Sequence, residues 1–168
     1  VGKDGVLFDS SDDDLINYVT ESSGTSFSFK HESGASFSGG KTVKVSKNKD
    51  NTNPYGKDFS NIIVPDITKY SYVNCFVYSP EVSAEGMSVL LCDTRENDST
   101  FYSAPVTFNH KGWKTVSLPL SDFVNNSADK YVDKLKLDFN RNGSKWKLPS
   151  YIFVDRIWLS ESLPKSVS

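Results

Sequence analysis

The chain has little of what most ligand chemistries need. Among 168 residues there are two cysteines, two histidines, three tryptophans and one methionine. Two cysteines, Cys75 and Cys92, do not form a disulfide framework. They read as free and packed, with a single bridge between hairpin neighbours as the alternative. His31 and His110 lie far apart, and no metal-ligand spacing, Gly-x-Ser-x-Gly turn or phosphate loop occurs. The apolar runs fall well short of a membrane span. Val1–Phe8 lacks the charged leader and long apolar stretch of a signal peptide, as a mature secreted protein or an excised domain would. The formal net charge of −2 leaves no field to draw nucleic acid or an anionic membrane.

What is present favours strands and turns. Ser, Thr, Asn, Tyr and Val are plentiful, and aromatics make up 13% of the chain. Short strands are predicted at about 5–9, 25–31, 41–47, 59–65, 70–78, 87–93, 100–108, 112–118, 134–140 and 151–160, with Gly, Asn, Asp, Ser and Pro between them. Helix-like stretches are confined to Asp12–Tyr18, where Asp12-Asp13-Asp14 reads as an N-terminal cap, and Ser121–Tyr131. Ten strands with almost no helix predict an all-β, antiparallel sandwich or barrel. In KLKLDFN, Leu135, Leu137 and Phe139 oppose Lys136, Asp138 and Asn140, and in KTVKVSK, Val43 and Val45 oppose Thr42, Lys44 and Ser46. One wet and one buried face per strand is the pattern of a two-sheet sandwich. The length suits one domain, taken as 1–162 with a linker-like tail at 163–168.

One stretch, YSYVNCFVYS at 70–79, is apolar on both sides. Val73, Cys75 and Val77 suit a core. Tyr72, Asn74, Phe76 and Tyr78 form the other face, a row of rings broken by an amide.

Four segments carry a resemblance. GWKTVSLPLSDF (112–123), the closing YIFVDRIWL (151–159), the opening VLFDSSDD (6–13) and FVYSPE (76–81) come in the order seen in carbohydrate-binding modules. The chain resembles the non-catalytic modules of the β-sandwich, jelly-roll type. The resemblance implies passive binding of a polysaccharide, a plant cell-wall β-glucan or hemicellulose. It implies a covalently attached enzyme held near that polymer, and a secreted or cell-surface location. It also implies a structural calcium where the first and last strands meet, at Asp9 and Asp155, although Ser10 and Ser11 stand where such modules supply Glu. Trp113 reads as a packing residue.

Sugars give the outer rings of 70–79 a use. A pyranose has a C–H face that packs on an aromatic ring and a rim of hydroxyls that bonds to amides and carboxylates. Covering about 50 Å² of that face at ~25 cal/mol/Å² is worth about 1 kcal/mol per ring. The candidate binding residues are therefore Tyr72, Asn74, Phe76 and Tyr78, with Asp138, Asn140 and Tyr102 on neighbouring strands and the loop aromatics Tyr55 and Trp146. The alternative places Phe76 and Tyr78 in the core, with the Val-Cys-Val side under a loop. Catalysis is not expected: a glycosidase needs two carboxylates flanking a cleft, and Asp93/Glu96 or Asp133/Asp138 are no better placed than any other pair. Two rival readings are a structural or interaction sandwich without a sugar site, and an accessory domain of a polysaccharide lyase.

Overall fold

The structure, a computed structural model, describes residues 5–24, 26–33, 40–48, 55–82, 86–95, 101–126, 130–139 and 151–165. Among them the chain forms β1 (Val6–Asp9), α1 (Asp13–Tyr18), β2 (Ser22–Ser23), β3 (Phe27–Ser33), β4 (Lys41–Lys47), β5 (Tyr55–Ser60), β6 (Tyr72–Ser79), β7 (Gly86–Cys92), β8 (Phe101–Thr107), β9 (Gly112–Pro119), β10 (Val124–Asn126), β11 (Lys134–Phe139) and β12 (Tyr151–Ser160). They build two antiparallel sheets. The first runs β2-β3-β4-β12-β6-β9, with β1 also pairing β12, and the second runs β10-β8-β7-β11-β5. From β4 onward the chain passes repeatedly from one sheet to the other, giving the jelly-roll sandwich expected from the sequence.

Alternation decides which face each strand buries. Val43 and Val45, Leu135 and Leu137, and Val73, Cys75 and Val77 are all fully or almost fully buried between the sheets. Phe27, Phe29 and Phe139 fill one end of the interior, with ring centroids 5.2 and 5.9 Å from Phe139, and Phe8 meets Phe59 edge to face at 5.3 Å. Helix α1 is short. Asp12 caps it by accepting from the amides of Asp14 and Leu15 at 3.0 and 3.2 Å, as the sequence suggests.

Three expectations are corrected. The strand expected at 59–65 lies at 55–60 instead, and of the remainder only Val64 pairs, with Val132. Of the helix-like 121–131, residues 127–129 lie outside the described ones; the described part holds a 3₁₀ turn at Leu120–Asp122 and the short edge strand β10, because pairing with β8 outweighs weak local helix preference. Cys75 and Cys92 are not hairpin neighbours: they sit in opposite sheets, free and buried.

The closing strand has one irregularity that positions the outer face. Its pairing with β6 slips between Val154 and Arg156, so Asp155 is an extra residue, a β-bulge. Before it, Ile152 and Val154 point inward. After it, Ile157 and Leu159 do. Phe153 and Arg156 therefore both face outward although they are three residues apart.

Candidate functional site

The outer face of the first sheet carries a line of side chains at right angles to the strands. In register from β3 across to β9 stand Lys30, Lys44, Phe153, Tyr78 and Trp113. Neighbouring strands lie about 4.8 Å apart, so their side chains touch. Tyr78 packs against Phe153 at 5.5 Å and against Trp113 at 5.6 Å, and Trp113 also stacks on Phe76 at 5.0 Å with planes 23° apart. Tyr151 extends the patch beside Phe153 at 5.5 Å, and the Lys44 ammonium lies 4.8 Å over the Tyr151 ring. Tyr78, Trp113, Tyr151 and Phe153 are half-buried, whereas Phe76 is 8% exposed beneath Trp113.

The sequence places the indole through a turn. Gly112 opens β9 at φ 91°, a conformation that favours glycine. Its carbonyl accepts from His110 Nδ1 at 3.0 Å, and burial lowers the pKa of that imidazole.

Asn74 has another task. It is fully buried on this face, and its amide is spent on the protein. Oδ1 accepts from Ser117 Oγ at 2.7 Å, and Nδ2 donates to Ser160 Oγ at 2.9 Å and to the Trp158 carbonyl at 3.3 Å. One side chain thus ties β9, β6 and β12 together beside the rings. Tyr72 stands at the far end of β6, between Ser160 and Pro119, half-buried.

The remaining candidates do not join this face. Tyr102 is on β8 of the second sheet, half-buried against the core with Ala104 and Val106. Asp138 is buried on the outer side of that sheet, opposite Gly56 and Ser88. Tyr55 begins β5 rather than occupying a loop, and its ring lies 5.8 and 5.9 Å from Phe27 and Phe29. Asn140 and Trp146 fall outside the described residues. The expected set is therefore divided between two sheets.

The second sheet has its own feature, a shallow groove of about 430 Å³ lined by Tyr18, Thr20, Gly56, Lys57, Asp58 and Lys136. Asp58 pairs with Lys134 and Lys136 at 3.3 and 3.7 Å. Lys57 Nζ donates to the Thr20 carbonyl and hydroxyl at 2.9 and 3.2 Å and lies 4.8 Å over Phe29; burial lowers its pKa.

Asp9 and Asp155 lie on the paired strands β1 and β12, where calcium is expected. Asp9 Oδ1 accepts from the Ser11 amide at 2.9 Å and hydroxyl at 2.6 Å, and the buried Asp155 carboxylate accepts from Ser10 Oγ. Among the described residues no three His, Cys, Asp or Glu side chains come together as a metal cluster. Calcium takes six to eight oxygens, so two carboxylates would need backbone carbonyls and water to complete a shell.

Sequence reasoning passed over Trp113, Tyr151, Phe153 and Lys44. Their signal is alternation: Trp113, Thr115 and Ser117 oppose the core-packed Val116 and Leu118, and Tyr151 and Phe153 oppose Ile152 and Val154.

No protein-family model matches the chain, and no curated protein sequence does. Solved structures do. A family 11 carbohydrate-binding module from Clostridium thermocellum, determined with a β-1,3-1,4-mixed-linked tetrasaccharide, is similar at 20% identity and TM-score 0.59 over 85% of this chain and 87% of that one. A family 30 carbohydrate-binding module is similar at 12% identity and TM-score 0.59, over 80% and 83% of the two chains. Part of an α-L-arabinofuranosidase, MgGH51, is also similar, at 12% identity and TM-score 0.56, over 95% of this chain but 27% of that enzyme. The fold is that of β-sandwich carbohydrate-binding modules.

Proposed function

We propose that the chain is a non-catalytic module that binds a polysaccharide, a β-glucan or hemicellulose of plant cell walls, and holds an attached enzyme near it outside the cell. The observation that carries this reading is the ring row Phe153–Tyr78–Trp113, lying side by side across three strands. A row of half-exposed rings on a rigid sheet matches the C–H faces of successive sugars, and unrelieved it would be an apolar patch facing water. The mixed-linked tetrasaccharide held by one structural relative supports a β-glucan. Two or three ring contacts at about 1 kcal/mol each, with hydrogen bonds and less the cost of ordering, give affinities of roughly micromolar to millimolar. Tethering then raises the enzyme's local concentration.

Affinity electrophoresis against soluble polysaccharides tests this. Retardation by at least one glycan, reduced in Trp113→Ala and Tyr78→Ala, is expected, with Tyr72→Ala and Trp146→Ala as further probes of the binding set. No retardation across a broad panel would favour a structural sandwich.

A second reading rests on the groove beside Tyr18, where hydroxyl, ammonium and carboxylate groups converge. Loss of retardation in Tyr18→Ala and Lys136→Ala, with Trp113→Ala unaffected, would move the sugar to that side.

A further inference from the structure

The ring row has a charged end. Lys30 and Lys44 stand directly opposite each other on β3 and β4, on the outer face. Like charges in that relationship destabilise a sheet, and neither ammonium has a carboxylate partner among the described residues. Lys44 is held in place by the Tyr151 ring, 4.8 Å away. Beyond the bulge, Arg156 joins the face opposite Phe76, its guanidinium 4.7 Å from the Trp158 centroid. The Arg156 Nε is buried without a hydrogen-bond partner among the described residues, a condition that buried donors rarely keep unless a ligand or water satisfies them.

The acidic groups nearby do not cancel this set. Glu32 lies two residues along β3 from Lys30, on the same face and opposite Thr42, and forms no ion pair with either lysine among the described residues. Asp9, hydrogen-bonded by Ser11, and the buried Asp155, hydrogen-bonded by Ser10, keep their charge but stand at the Arg156 end of β12, not opposite the two lysines. Rings occupy the middle and one end of the row, and unpaired ammonium groups occupy the other.

We infer that the polysaccharide is acidic: a β-linked backbone lying on Phe153, Tyr78 and Trp113, with a uronic-acid carboxylate between Lys44 and Lys30. The inference rests on the proposed binding role of this face and narrows it, from cell-wall polymers in general to hemicellulose bearing uronate groups. A carboxylate there would screen the two ammonium groups from each other.

The experiment compares glucuronoxylan with the same polymer after reduction of its carboxyl groups, with neutral mixed-linked β-glucan alongside, by affinity electrophoresis and calorimetry on the full chain. The acidic polymer is expected to bind about tenfold more tightly than the reduced one at low salt, with the ratio shrinking as ionic strength shortens the Debye length from about 30 Å to about 3 Å. Lys30→Met and Lys44→Met are each expected to narrow that ratio. Equal binding of the two xylans, or binding of neutral β-glucan alone, would overturn the acidic ligand and leave the carbohydrate-binding role standing. Silence of all three polymers, and of every other glycan tried, would overturn both. Salt-sensitive binding that Trp113→Ala leaves untouched would mean indiscriminate attraction of polyanions, and would likewise overturn the inference.

Discussion

Phe76 and Trp113 stack face to face across β6 and β9, centroids 5.0 Å apart. The indole covers the phenyl ring and is itself only half-buried, so one residue serves both packing and the proposed ligand. Trp113→Ala is accordingly expected to weaken glycan binding about tenfold, or ~1.4 kcal/mol. It should also destabilise the fold by about 1–2 kcal/mol, less than a core truncation, because the side chain is half-buried. Calorimetry and urea unfolding on the same sample separate the two effects.

Asn74→Ala removes the acceptor of the Ser117 hydroxyl and the donor to Ser160 Oγ and the Trp158 carbonyl, while Ser160 keeps its bond to the Ser162 carbonyl. A cost of about 2–3 kcal/mol is expected. In a chain of this length that lowers Tm by roughly 4–12 °C. The denaturant midpoint should fall with the slope unchanged. A Tm within a degree of the parent would mean that the amide does not tie the three strands together.

Burial pushes the Cys75 thiol up to about 12 and the Cys92 thiol up to about 11. Both groups stay protonated in the folded chain while the unfolded thiols ionise from roughly pH 8.5. Above that pH the unfolded state binds fewer protons than the native one, so stability falls as pH rises, by about 1.4 kcal/mol per unit for Cys75 until its folded pKa is reached. Between pH 8 and pH 10, Cys75→Ala should lose less of its urea midpoint than the parent. An aromatic disulfide reagent should find no reactive thiol in the native protein and two after denaturation.

The proposal of calcium at Asp9 and Asp155 has a direct assay. Saturating calcium at about 100 times its dissociation constant would stabilise the chelated protein by roughly 2.7 kcal/mol. That corresponds to a rise in Tm of several degrees. Asp155→Asn should remove the response. An unchanged Tm in the parent protein would take calcium out of this corner.

Much of the architecture was legible because alternation is a strong signal where one face is buried. KTVKVSK and KLKLDFN declare their inner residues by apolar spacing, and Val73, Cys75 and Val77 were correctly assigned to the interior. Asn74 misled because composition shows an amide's capacity to bond but not that Ser117 and Ser160, 43 and 86 residues away, have taken it. Tyr102 and Asp138 were grouped with the 72–78 row because strand order, and hence the sheet a residue belongs to, is set by long-range pairing. Tyr55 looked like a loop residue amid Asn, Pro and Gly, yet pairing with Phe139 extends β5 to include it. The importance of Trp113 was concealed by its place in a motif that reads as packing, and part of its role is indeed packing.

The extra residue at Asp155 acts on β12 as an insertion acts on a reading frame. Everything downstream is shifted by one phase, which is why Arg156 and Trp158 share a surface with Phe153 while Ile157 and Leu159 stay dry. Smoothing out the bulge with Asp155 retained would impose strict alternation and send a guanidinium and an indole toward the interior, whereas excising Asp155 altogether would leave both outward. The offset at this one position therefore decides what the far half of β12 shows to water.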